Sequence, residues 1–280
     1  MTVVSSRGCP AKCEFCSRAV FGSRRTCHSA SYVVEMVKRL RDIHNVRQIQ
    51  FDDDDFMVQR TRLLDICGGL RRETPNVRWC CYARVDRIDA DMLKEMKAAG
   101  CWQIKFGIES GSQEMLERMN KRISLEQIRA AVAEVRRAGM VATGHFMIGY
   151  PGETVESARR TMDLAVELRL DEFFMTYLTP FPGTAIWRRA TELGSYDPDW
   201  RRHSGWRPVF VPNTLTQQQL VDLRNEAYRK FYFRFSTVWG FLRRIGSLRQ
   251  FFLTVKGFVF FLGLLSADRR ARPQSGSGDP

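Results

Sequence analysis

Stretches that read as β-strand and stretches that read as α-helix alternate about six times over residues 1–195, and few folds satisfy that order. The strand readings are Thr2–Ser5, Gln48–Phe51, Val77–Tyr82, Cys101–Phe106, Val141–Ile148 and Glu172–Tyr177. Between them lie Ser31–Ile43, Thr61–Arg72, Asp89–Ala99, Ser124–Ala138 and Val155–Leu168, which read as helices, with Ala185–Leu193 helical behind the last strand. Gly100 and Gly139 are C-cap signals, and Ser124 with Gln127 reads as a capping box. Such alternation implies parallel strands joined by right-handed crossovers. A closed eight-unit barrel typically needs about 250 residues, and the alternation stops before that. The expected fold is therefore α/β, a partial (β/α)6 TIM-like barrel of parallel strands over residues 1–195. A C-terminal helical extension is expected at 196–270 and a disordered, Gly/Ser/Pro-rich tail at 271–280.

In the extension, 197–212 reads as an irregular Trp- and Arg-rich connector. Thr216 to Phe235 reads as a helix, capped by Thr214 or Thr216. Phe251–Leu265 is strongly apolar but only 15 residues long, with Lys256 inside it. A membrane span needs about 20. Two readings stay open: a helix covering the barrel, or an amphipathic helix on a membrane surface with Arg269, Arg270 and Arg272 at its edge. The net charge is +13, and from Trp187 onward there are 16 Lys and Arg against 7 Asp and Glu. An anionic membrane surface, an acidic partner, nucleic acid or plain solubility would each accommodate that surplus.

The loops after the strands carry the chemistry. The first holds Cys9, Cys13 and Cys16, spaced C-x3-C-x2-C. Three thiolates cannot all pair as disulfides, but they can hold three corners of an iron–sulfur cube. Most such clusters take four cysteines, and Cys27, eleven residues past Cys16, is out of step. An open coordination position is the mark of a catalytic metal rather than a structural one. A zinc knuckle or three buried thiols are the plainer alternatives. All eight cysteines lie within the first 101 residues, which suits a reducing cytoplasm better than a secreted disulfide scaffold. The few apolar residues before Arg7 are too short for a signal peptide.

Five loop motifs occur in order: Ser6-Arg7-Gly8-Cys9-Pro10, Phe51-Asp52-Asp53-Asp54-Asp55-Phe56, Gly107-Ile108-Glu109-Ser110-Gly111-Ser112, Gly149-Tyr150-Pro151-Gly152-Glu153-Thr154 and Phe181-Pro182-Gly183-Thr184. Together they resemble the radical S-adenosylmethionine (SAM) enzymes that usually carry an N-terminal cobalamin-binding domain. That group includes pigment-ring cyclases, hopanoid-pathway enzymes and cobalamin-dependent methyltransferases. The segment Ala227–Tyr232 also looks like this group's C-terminal extension.

The resemblance implies that Cys9, Cys13 and Cys16 bind a 4Fe-4S cluster whose open iron takes SAM. Reductive cleavage of SAM would then give a 5′-deoxyadenosyl radical that abstracts a substrate hydrogen. It implies Phe15 near adenine, Asp53 or Asp54 at the SAM ammonium, and Glu109 at the ribose with Ser110 supporting it. Gly149, with Pro151 and Gly152, would let the backbone approach a ligand closely, or serve a tight turn without one. Arg84 could pair with the SAM carboxylate, or be an ordinary surface arginine. Tyr177 is a candidate substrate contact or hydrogen donor. His145 reads as a satisfied core residue rather than a ligand. The sequence as read opens at the first barrel strand, and three expectations stay open: a cobalamin domain that is missing, an enzyme that works without cobalamin, or a partner that supplies it. The resemblance further implies a reductant such as flavodoxin or ferredoxin, and a small-molecule substrate of lipid or pigment character. Localisation is expected to be cytoplasmic, or peripheral at the inner membrane face through the apolar basic tail. The helical tail is unlike the β-rich RNA-binding domains of tRNA modifiers. Two other readings are a methyltransferase using that separate cobalamin, and a non-catalytic iron–sulfur or nucleic-acid-binding protein.

Overall fold

The computed structural model describes residues 1–17, 21, 22, 24–234, 252 and 256. Apart from Phe252 and Lys256, the expected apolar helix at 251–265 and the expected disordered tail at 271–280 lie outside the described residues, as do Arg269, Arg270 and Arg272. In chain order the elements are β1 (Thr2–Val3), β2 (Ser6–Arg7), β3 (Thr26–Cys27), α1 (Ala30–His44), β4 (Gln48–Phe51), α2 (Arg60–Glu73), β5 (Arg78–Ala83), α3 (Ala90–Ala98) and β6 (Cys101–Glu109). Then come α4 (Gln113–Arg118), α5 (Leu125–Arg137), β7 (Val141–Ile148), α6 (Val155–Glu167), β8 (Glu172–Tyr177), α7 (Ala185–Arg188), α8 (Ala190–Leu193), β9 (Gly194–Tyr196), β10 (Phe210–Pro212) and α9 (Gln217–Tyr232).

Six strands form one sheet in the order β1-β4-β5-β6-β7-β8, every neighbour parallel. Parallel neighbours need crossover connections, and α1, α2, α3, α5 and α6 provide them. β1 and β8 are the unjoined edges, so the barrel is partial and open, as expected. Two of the longer helices begin where side chains satisfy their free amides: α5 and α9 each start on a complete capping box, Ser124 with Gln127 and Thr216 with Gln219.

The core lies between the sheet and the helices. Ile49, Phe51, Trp79, Cys81, Ile104, Phe106, Phe146 and Phe173 on the strands meet Val33, Leu63, Ile66, Met96, Ile128, Val132 and Met162 on the helices, each at most 2% exposed. α9 joins this core through Leu220, Leu223, Ala227 and Phe231. Its Tyr228 and Tyr232 hydroxyls reach the β8 backbone, accepting from Met175 N–H at 3.1 Å and Phe173 N–H at 3.2 Å.

Three local departures from the expected elements matter for the site. Residues 6–7 and 26–27 pair as an antiparallel ladder that closes the cysteine loop at its base. α4 sits in the loop after β6. Part of the expected irregular connector pairs instead, Phe210–Pro212 against Gly194–Tyr196.

Candidate active site

The cysteine loop, the acidic loop, the end of β5 and the end of β6 meet at the C-terminal edge of the sheet, where barrels of this architecture place their chemistry. The acidic loop is tied at both ends by aromatic rings. Phe51 and Phe56 are at most 1% exposed and stack at 4.5 Å, with Trp79 5.6 Å from each. Such ring pairs add about 0.5–1.5 kcal/mol beyond area burial.

Asp53 is 2% exposed and accepts from Ser5 N–H at 2.6 Å, Ser5 Oγ at 2.7 Å and Ser6 Oγ at 2.5 Å. Arg62 and Arg25 close the network on Ser5 Oγ and Ser6 Oγ at 2.9 and 3.1 Å. Asp53 therefore faces the cysteine loop's entry strand, which leaves Asp54 as the exposed acid of the pair that the sequence offered without choosing between them. A buried carboxylate needs such donors, and sequence cannot tell which of four consecutive aspartates faces inward. Asp54 is exposed, with one oxygen accepting from Gly8 N–H at 2.9 Å. Asp55 is 2% exposed and its Oδ2 lacks a hydrogen-bond partner. Burial raises its carboxyl above the usual range, against the pull of Arg87 and Arg84.

The three thiols gather in one loop: Cys13 is buried, Cys9 half-buried and Cys16 at the exposed rim. Enough protein surrounds the Cys16 sulfur that desolvation, then the Cys13 and Cys9 thiols, push it up to about 11. Cys9 is raised by burial, then by Asp55 and Cys13, against an Ala11 backbone hydrogen bond. Among the described residues no three donors converge on a single-ion site. A cube with separate iron corners takes its thiolates spread around it rather than converging on one point. Arg84 lies beside the loop, its Nη1 3.8 Å from Cys13 Sγ, held by Asp86 at 3.0 Å and by the Lys121 carbonyl at 2.8 Å. It is not a surface arginine; its side chain is 12% exposed.

β6 ends in a bulge between Gly107 and Glu109, and Glu109 adopts φ +71°. Ser110 N–H donates to Ile108 C=O at 3.0 Å around it, a tight turn that is strained for a residue with a side chain. The turn aims the Glu109 carboxylate at Lys121, whose Nζ donates to Oε1 at 2.8 Å. The two side chains are 14% and 7% exposed. Lys121 also sits 5.6 Å over the Phe15 ring. Glu109, Phe15, Arg84 and the three cysteines are thus brought together. Lys121 belongs with them. Sequence reasoning missed it because it follows Glu109 by twelve positions, in a stretch without a motif of its own, and only α4 turns the chain back to the site.

Three other expected contacts are placed elsewhere. Ser110 is fully buried, its Oγ 3.2 Å from Thr161 Oγ1 on α6, so it anchors the Glu109 turn rather than a ligand. Gly149 has φ +90°, a β-carbon there would meet Leu220 of α9 at 3.3 Å, and its N–H donates to Glu153 Oε2 at 2.5 Å. Its glycine serves the turn and the packing of α9. Tyr177 is 2% exposed on the core face of β8, with Arg224 5.1 Å over its ring. Side chains alternate along a strand, so Tyr177 shares the face of Phe173 and Met175 and points away from the site.

Two further residues position the cysteine loop. Tyr150 Oη donates to Glu14 at 3.1 Å and lies 3.0 Å from the Arg118 carbonyl, while Glu14 N–H donates to Met119 C=O at 3.0 Å. Asn120 Nδ2 donates to the Lys12 carbonyl at 2.9 Å.

A partial parallel barrel with a three-cysteine loop, a buried acid–lysine pair and a cation at its C-terminal edge defines a class of enzyme fold. The chain belongs to the radical SAM superfamily, matching that family over residues 3–165. It is 35% identical over 234 residues to an uncharacterized methyltransferase of Pyrococcus horikoshii, covering 83% of this chain and 51% of that one. It is 27% identical over 268 residues to an anaerobic magnesium-protoporphyrin IX monomethyl ester cyclase of Cereibacter sphaeroides, covering 91% and 44%. The chain thus spans about half the length of these curated relatives. Among solved structures, the fold is similar to the cobalamin-dependent SAM radical enzyme OxsB, with TM-score 0.67, 16% identity, and 95% and 46% of the two chains covered. It is also similar to the radical SAM methyltransferase TsrM of Kitasatospora setae, with TM-score 0.63, 19% identity, and 84% and 46% covered.

Proposed function

We propose that this chain is the catalytic barrel of a radical SAM enzyme acting on a small molecule. The observation that carries the reading is the meeting of the Cys9–Cys16 loop with Arg84, Glu109 and Lys121 at one edge of the sheet. Cys9, Cys13 and Cys16 would hold the 4Fe-4S cluster, leaving one iron for SAM. When bound, that cluster supplies the electron that splits SAM into methionine and a 5′-deoxyadenosyl radical, which takes a substrate hydrogen. The protein's own work is placement. Asp53 fixes the entry of the cysteine loop, and Tyr150 and Asn120 dock its far side. Glu109 offers the carboxylate oxygen that Lys121 does not occupy to ribose hydroxyls, and Phe15 offers a ring face. Asp54 is the acid available to the SAM ammonium, and Arg84 and Lys121 are the cations available to its carboxylate.

Residues 1–195 form the proposed core and 196–270 its extension. A flavodoxin or ferredoxin is the proposed electron donor, in a reducing cytoplasm. A second reading is methyl transfer with cobalamin from another domain or chain; the similar proteins of Pyrococcus horikoshii and Kitasatospora setae, both named as methyltransferases, favour it. The test is anaerobic reconstitution with iron and sulfide, then addition of dithionite and SAM. Release of 5′-deoxyadenosine is expected. Its absence from protein with an intact cluster and bound SAM would sink the enzyme reading.

A further inference from the structure

The sheet has two faces, and the helices seal one. On β5 to β8 the residues turned to the other face include Tyr82, Lys105, His145, Phe174 and Thr176, and each keeps partial exposure. Their neighbours Cys81, Phe106, Phe146, Phe173 and Met175 are at most 1% exposed. The hollow on the open face has a floor. Gln103 Nε2 donates to Thr143 Oγ1 at 2.8 Å and to Glu172 at 2.7 Å, and Thr143 Oγ1 donates to Glu172 at 3.0 Å. Its upper edge is the Glu109–Lys121 pair.

Between floor and edge lie a lysine without a counter-charge and a histidine nitrogen without a hydrogen-bond partner among the described residues. Lys105 Nζ donates to Gln50 Oε1 at 2.5 Å and lies 5.3 Å over the Tyr82 ring. Among the described residues no carboxylate pairs with it. A half-buried ammonium without a counter-charge is costly. His145 stacks on Phe174 with ring centroids 5.1 Å apart and sits 5.4 Å from Tyr82. Its Nε2 is enclosed and has no hydrogen-bond partner. Burial moves the ring down to about 4, so near pH 7 the imidazole is neutral and adds no second charge to the hollow. His145 pairs with Gly107, where a β-carbon would meet Glu109 Oε1 at 2.8 Å and Lys121 Nζ at 3.1 Å, so the ring's neighbour on β6 is overlain by the Glu109–Lys121 pair.

We propose that this hollow binds the non-SAM substrate, and that the substrate is a flat-ringed anion: its carboxylate meets Lys105 and its ring meets the Tyr82, His145 and Phe174 side chains. The assignment of this ligand as substrate rests on the radical SAM reading; the binding site itself does not.

The test titrates 2-naphthoate, 2-naphthamide and acetate into the full chain under anaerobic conditions, with SAM binding measured separately. Saturable 2-naphthoate binding is expected, with the neutral amide and acetate each weaker by roughly tenfold or more. Lys105→Met should weaken 2-naphthoate by a similar factor, Lys105→Arg should keep most of the binding, and both should leave SAM binding unchanged. Far-ultraviolet circular dichroism checks that the variants fold. No binding of 2-naphthoate at millimolar concentration, equal binding of the amide, or full binding by a folded Lys105→Met protein would each overturn the proposal. Loss of SAM binding in wild type with 2-naphthoate binding intact would instead count against the radical SAM reading alone.

Discussion

Replacing Glu153 by Gln should tilt the pH dependence of stability in a direction fixed by the structure. Glu153 is wholly buried; one oxygen accepts from Gly149 N–H and the other has no partner. Burial raises its carboxyl from 4.5 to about 7. The folded state therefore binds more protons than the unfolded chain between those values, and the group's contribution to stability falls as pH rises through that window. Two to three pKa steps at about 1.4 kcal/mol each give about 3 kcal/mol. His145 works in the opposite sense. Its pKa falls from 6.5 to about 4, so the folded state binds fewer protons in that window and stability rises with pH there by a similar amount. The two arms largely offset in the wild type. Glu153→Gln removes only the falling arm, while its buried amide adds a pH-independent cost. The assay is urea unfolding of wild type and variant from pH 4 to 8. The variant's stability relative to wild type should climb by about 3 kcal/mol between pH 4.5 and 7 and then level off. A flat difference, or one that falls with pH, would refute the argument.

Asp53→Asn keeps the shape but loses charge-assisted acceptance from Ser5 and Ser6, and should cost about 3 kcal/mol in urea unfolding, with less iron retained after reconstitution. Tyr150→Phe removes the hydroxyl bridging Glu14 and the Arg118 carbonyl. It should cost about 1 kcal/mol and quicken iron loss to a chelator. At Gly111, a β-carbon would lie 2.5 Å from the Arg160 carbonyl oxygen and 2.6 Å from Thr161 Cα. Gly111→Ala should therefore cost about 3 kcal/mol, read as a lowered Tm.

The barrel was legible because strand and helix patterns are local. Gln48–Phe51, Val141–Ile148 and Glu172–Tyr177 begin and end where the sequence places them. The capping box at Ser124 and Gln127 was equally readable, and of the two threonines offered as the cap of α9, Thr216 takes the role. The ladder of two-residue strands around the cysteine loop was not, since two residues carry no periodicity. The site was legible where motif residues gather at the C-terminal edge of the sheet, as Glu109 and the cysteines do. It was not where neighbours in sequence split between faces, as Asp53 and Asp54 do, or where contact spans the chain, as in Glu14 with Tyr150. Tyr177 could have been placed from alternation alone, since Phe173 and Met175 share its face.

The most direct measurement is electron paramagnetic resonance of the reconstituted, dithionite-reduced protein before and after SAM is added. A three-thiolate cluster with an open iron should give a reduced-cluster signal that changes on SAM binding, and Cys13→Ala should lose it. A signal that SAM leaves unchanged, or one that persists undiminished in Cys13→Ala, would contradict the account.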